Sequence, residues 1–126
     1  HFGTAHALVE IGGELYALGG RPDGSDFQVA VDAPTEVRKG KPITVVGLKN
    51  RGMATSGNYR KFQVDPKSGM HYGHTLNPFT GWTARTDLLS ATVLASSSSE
   101  ADGVATALVA MGLNKAKELV QKQLKG

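Results

Sequence analysis

Apolar residues come first in short runs and only later at helical spacing. Ala7 to Ile11 and Glu14 to Leu18 are β-prone runs around Gly12-Gly13, a pair that can turn tightly or admit a backbone or ligand closely. Both runs read as half-buried strands. Phe27, Val29 and Val31 alternate with Gln28 and Ala30, which predicts a strand that Pro34 ends, followed by the polar connection Arg38 to Pro42. Ile43 to Leu48 is a further strand. Tyr59 to Val64 and Met70 to Thr75 can pair across Asp65-Pro66-Lys67-Ser68-Gly69, a strong turn signal, whereas Ser56-Gly57-Asn58 reads as a turn and Asn77 to Gly81 as a loop.

Ser90 to Ala95 is the last β-prone run, and the pattern then changes period. Ser99 reads as an N-cap with Asp102 at N3, opening a helix through about Met111 with Val104, Leu108 and Met111 on its core side. Gly112 ends it. A second amphipathic helix follows, with Ala116, Leu119, Val120 and Gln123-Leu124 inward and lysines outward. Strands first and helices last predict an α+β fold: a mixed or antiparallel sheet with the C-terminal helices packed on it.

At 126 residues the chain is one domain's worth, with 40% hydrophobic and 20% charged residues, and no apolar run approaches the ~18 residues of a bilayer-spanning helix. The net charge of +3 resides at the end, where Lys115, Lys117, Lys122 and Lys125 face only Glu118. That is a solvated helix face rather than a phosphate-binding stripe, so no nucleic-acid partner is expected. With no cysteine, disulfides, thiolate metal sites and a cysteine nucleophile are excluded.

Candidate chemistry lies in three polar segments. Asp102 and Thr106 stand one turn apart on one helix face, two hard oxygen donors that suit magnesium, which prefers about six oxygens and keeps several waters. The same residues have simpler uses: Asp102 as a capping-box acid, and Thr106 returning its hydroxyl to the carbonyl four residues back. His71 and His74 point to opposite faces of a strand, which argues against a two-histidine zinc site. His74 stands where a strand meets a loop and can serve as a general base, although a histidine at a turn is commonly just a surface residue. Ser56 lacks the Gly-x-Ser-x-Gly elbow and an evident acid partner for His74, so a serine-hydrolase triad has little support. Tyr59, Phe62 and Trp82 can stack on a ring or fill the core, with the core as the default.

Four segments in order carry a resemblance: Glu10-Ile11-Gly12-Gly13-Glu14, Thr55-Ser56-Gly57-Asn58-Tyr59-Arg60-Lys61-Phe62, His74-x-Leu76-Asn77-Pro78-x-Thr80-Gly81, and Ala101-Asp102-x-x-Ala105-Thr106 running on to Met111-Gly112. The chain resembles the ApbE family of bacterial FAD:protein FMN transferases over nearly all its length, as the carboxyl-terminal part of such an enzyme. The resemblance implies that an amino-terminal part is absent, including a lipoprotein segment and a Gly- and Lys-rich segment for FAD and metal, and that the chain alone is inactive. It implies that Asp102 and Thr106 hold Mg2+, that His74 is the catalytic base, and that Leu76 lines the flavin site. Gly12, Gly13, Ser56, Gly57, Tyr59 and Thr75 are then FAD-proximal. Asn77 departs from the family, which usually has aspartate there.

The implied reaction is transfer of FMN from FAD to a threonine hydroxyl of a target flavoprotein, such as a subunit of a membrane redox pump, with release of AMP. Water in place of threonine would make the protein an FAD pyrophosphatase giving FMN and AMP. Loss of chemistry would leave a flavin-binding module. The resemblance also implies a lipoprotein on the periplasmic side of the bacterial inner membrane.

Overall fold

The computed structural model describes residues 3–34, 42–58, 62–69, 71–84 and 87–124. Its strands are β1 Ala7–Ile11, β2 Glu14–Leu18, β3 Phe27–Asp32, β4 Pro42–Leu48, β5 Arg51–Gly57, β6 Phe62–Val64, β7 His71–Gly73 and β8 Ser90–Ala95, followed by helices α1 Ser98–Met111 and α2 Leu113–Leu124. A four-stranded sheet runs β1-β2-β5-β8, with β3-β4 and β6-β7 as two-stranded sheets, and every strand pair among the described residues is antiparallel. The α+β expectation holds. Helix α1 packs on the sheet, against β5, β8 and β2, whereas α2 packs on α1.

Most strands fall where alternation and turn residues put them. Gly12 and Gly13 have φ of 71° and 112°, the positive angles that a two-residue hairpin demands, so β1 and β2 meet as expected. Yet β1 is largely exposed rather than half-buried, with Ile11 75% accessible, because it is an edge strand. Strand β7 ends at Gly73, two residues short of the expected Thr75, and the β6–β7 turn closes through Gly69 N–H donating to the Asp65 carbonyl. Ser68 Oγ, and then the Lys67 N–H, hold the Asp65 carboxyl below the ordinary carboxylate range.

The principal correction is β5. Ser56-Gly57 is not a turn but the end of a central strand, paired to β2 on one side and β8 on the other. Its small residues carry little apolar signal, and their smallness is what the packing needs. A Cβ at Gly52 would overlap the Ser97–Ser98 peptide at the start of α1, so the helix can approach only a glycine there. Residues 52, 54 and 56 face α1, while Met53 on the opposite face joins Ala17 and Leu48 in a core completed by Leu15, Phe27, Val29, Val31, Val46 and Leu94. Helix, sheet and the β3–β4 ribbon thus form three layers.

Helix α1 also differs in detail. Ser97, not Ser99, is the N-cap, and its Oγ accepts from the Glu100 N–H at 3.2 Å. Glu100 is therefore at N3, and its carboxylate accepts from Ser96 Oγ at 2.6 Å. Asp102 lies beyond the cap, so the capping-box reading of that residue falls. The buried face is Ala101, Ala105, Leu108 and Val109, whereas Val104 is 39% exposed. Small residues win because β5 is so close. Gly112, at φ 83°, ends the helix as expected. In α2 Ala116 is buried, but Leu119 and Val120 are 37% and 43% exposed and line an open apolar groove of about 530 Å³ with Val93, Val104 and Leu108.

Candidate functional site

Strand register brings distant segments to one end of the four-stranded sheet. Leu15 pairs with Met53 and Gly57 with Ser90, so the Gly12-Gly13 turn, the Ser56-Gly57 end of β5 and the start of β8 lie together. Helix α1 starts over Gly52 and runs back along the sheet toward that same end. Its second half therefore meets Ser56. Ser56 Oγ and Thr106 Oγ1 are 2.8 Å apart, a hydrogen bond between residues fifty positions apart in the chain.

Thr106 is exposed and Asp102 half-buried on the same flank of α1, beside the buried alanines. The partner of the Thr106 hydroxyl is a β5 side chain rather than the helix carbonyl four residues back, as the simpler reading had it. The donors fit magnesium in kind, being a carboxylate and a hydroxyl. Among the described residues there is no group of three His, Cys, Asp or Glu able to hold an ion. A magnesium ion there would take its remaining ligands from water, phosphate oxygens or residues outside this chain.

Beyond Ser56 and Gly57, Asn58 ties the strand to the histidine segment. Its backbone N–H donates to the Leu89 carbonyl at 3.1 Å, and its Oδ1 accepts from Thr75 Oγ1 at 2.9 Å. Thr75 is buried, as is suited to a residue fixing the loop rather than reaching outward. Next to it, His74 is exposed at the bend that follows β7. The segment then forms a closed excursion in which Ala84 N–H donates to the Thr75 carbonyl, Asn77 N–H donates to the Trp82 carbonyl, and Leu76 bridges Thr83. Asn77 Oδ1 accepts from the Phe79 N–H at 2.9 Å, a turn contact that aspartate would make equally well.

Leu76 is 59% exposed, and Trp82, expected in the core, is 78% exposed because this excursion stands off the sheet. Tyr72, Asn77, Thr80, Trp82 and Thr83 line an open cleft of about 570 Å³. Tyr59 and the Phe62 side chain lie outside the described residues. Sequence reading missed the roles of Asn58 and of Asp87, whose Oδ1 accepts from the Leu113 N–H at 2.8 Å and so caps α2. An Asx residue just before a helix start is the usual signal for such a cap, but Asp87 is far from Leu113 in the chain.

The family model that fits this sequence is that of the ApbE family, and it matches residues 1–126. The chain belongs to the ApbE family. The FAD:protein FMN transferase of Haemophilus influenzae is 40% identical to this ApbE-family chain over 115 residues, covering 91% of the chain and 33% of the relative. That of Salmonella typhimurium is 35% identical over 122 residues, covering 96% and 34%. Among solved structures, the apo flavinyl transferase ApbE of Pseudomonas stutzeri aligns with a TM-score of 0.77 at 37% identity, over 96% of this chain and 36% of that one. The ApbE protein of Thermotoga maritima aligns at 0.78 with 30% identity, over 96% and 38%. The chain thus spans about a third of the length of the relatives it matches.

Proposed function

We propose that this chain is part of an FAD:protein FMN transferase, and that His74, Asp102 and Thr106 serve its reaction. The observation that carries the reading is the Ser56–Thr106 hydrogen bond, which joins two of the four family segments into one site at the sheet end. His74 takes the proton of an acceptor threonine hydroxyl on a target flavoprotein. The hydroxyl oxygen attacks the FMN phosphorus of FAD, the bond to the AMP oxygen breaks, and AMP leaves with its electron pair. Exposure of His74 gives a bulky protein acceptor access to the base.

Asp102 and Thr106 would hold Mg2+, which supplies charge neutralisation at the pyrophosphate. Gly12 and Gly13 leave open backbone at the same end, where nothing lies within contact distance of a Cβ placed on Gly13, and they fit close approach of FAD. Ser56, Gly57, Thr75 and Leu76 border the nucleotide in this reading, Thr75 through its loop rather than its buried hydroxyl. As part of the same proposal, the complete protein is a lipoprotein on the periplasmic side of the inner membrane and serves a subunit of a membrane redox pump.

Incubating FAD and a threonine-bearing target protein with a complete enzyme carrying this chain tests the reaction. Mass spectrometry should find FMN esterified to threonine, with AMP released in equal amount. Free FMN and AMP with no protein adduct would instead identify a pyrophosphatase.

A further inference from the structure

The hydroxyl pair between β5 and α1 has a direction that follows from the chemistry of a metal-bound alcohol. A neutral threonine hydroxyl coordinates a cation through an oxygen lone pair, so its own proton must point away from the cation and needs an acceptor. Thr106 Oγ1 has Ser56 Oγ at 2.8 Å, on the neighbouring strand and fixed there by ladder pairing of β5 with β8. Resting on the functional reading above, we propose that Ser56 is a positioning residue for the metal: it accepts the Thr106 proton and turns that hydroxyl's lone pair toward the cation that Asp102 shares.

The alternative partner for the Thr106 proton is the Asp102 backbone carbonyl, four residues back and always within reach of a mid-helix threonine. Threonine in a helix divides between two χ1 rotamers, one of which makes that local bond. Ser56 selects the other. The selection works because Ser56 belongs to the central strand, clamped between β2 and β8, and because Gly52 lets α1 lie close enough for the two short side chains to meet. Ser56 is half-buried, so its hydroxyl is partly shielded from competing water. This role differs from direct contact with the flavin nucleotide, which the family resemblance implies for the same residue.

Removing a group that orients a metal ligand typically lowers metal affinity about 10- to 100-fold. The test uses the complete enzyme as wild type, Ser56→Ala, Ser56→Thr and Asp102→Ala. Binding of Mn2+ alone is followed by electron paramagnetic resonance, with Mg2+ as competitor, and FAD binding is measured in EDTA by flavin fluorescence. Ser56→Ala should weaken Mn2+ and Mg2+ by about 10- to 100-fold and regain rate at high Mg2+. Ser56→Thr, which keeps the hydroxyl, should restore the affinity. Loss of Mn2+ binding in Asp102→Ala with none in Ser56→Ala would overturn the positioning role alone. Weakened FAD binding in EDTA with intact Mn2+ affinity would also overturn it, assigning Ser56 to the nucleotide. Unchanged Mn2+ binding in both variants would overturn the metal site itself and this inference with it.

Discussion

At the scale of single residues, the site rests on short polar side chains whose partners lie far away in sequence. Asn58 is the clearest case. As a member of Ser56-Gly57-Asn58 it reads as a turn former, but its Oδ1 is the acceptor for the buried Thr75 hydroxyl. Asn58→Ala strands that hydroxyl without a partner, which costs about 1–3 kcal/mol when the group is buried. Chemical denaturation should show a loss of that size, and an unchanged midpoint would mean that Thr75 finds another acceptor. That Asp102 and Thr106 share one flank of α1 was legible from helical spacing, because i and i+4 share a face whatever the tertiary context. Their partner was not, since no local rule links Ser56 to a residue fifty positions on. The same limit hid the Asp87 cap on α2.

At the scale of elements, strands with strong alternation or glycine-rich turns declared themselves, as β1, β2, β3 and β8 show. Strand β5 did not. Its Gly-Met-Ala-Thr-Ser-Gly run has little bulk, and strand propensity reflects side chains that fill a pleated surface. Here the contact is made by bringing a helix backbone close instead. The error in the α1 face has the same cause: the largest apolar residues were assigned inward, while the sheet accepts alanines and leaves Val104 at the margin. Gly52→Ala is the direct check. The added methyl meets the Ser97–Ser98 peptide, which cannot swing aside as a side chain could, and overpacking of this kind costs about 1–3 kcal/mol. Denaturation should register that loss, together with a lower affinity for Mg2+ as α1 moves off Ser56. Wild-type stability would show that the helix shifts freely.

At the scale of the whole molecule, the chain belongs to the ApbE family and folds as three layers, with the family's polar segments gathered at one end of the central sheet. It spans about a third of its relatives' length. The groove beside β8, α1 and α2 leaves Leu119 and Val120 partly in water, where amphipathic spacing alone put them inside. Periodicity reports which face of a helix is apolar, not how much of that face is covered. In the proposed reaction, helix α1 brings a cation to the end of β5, where FAD is cleaved. The most direct measurement is the rate of Mg2+-dependent protein flavinylation by a complete enzyme carrying Asp102→Ala. Loss of Mg2+-dependent turnover with FAD binding in EDTA intact is the predicted result, and wild-type rates in that variant would contradict it.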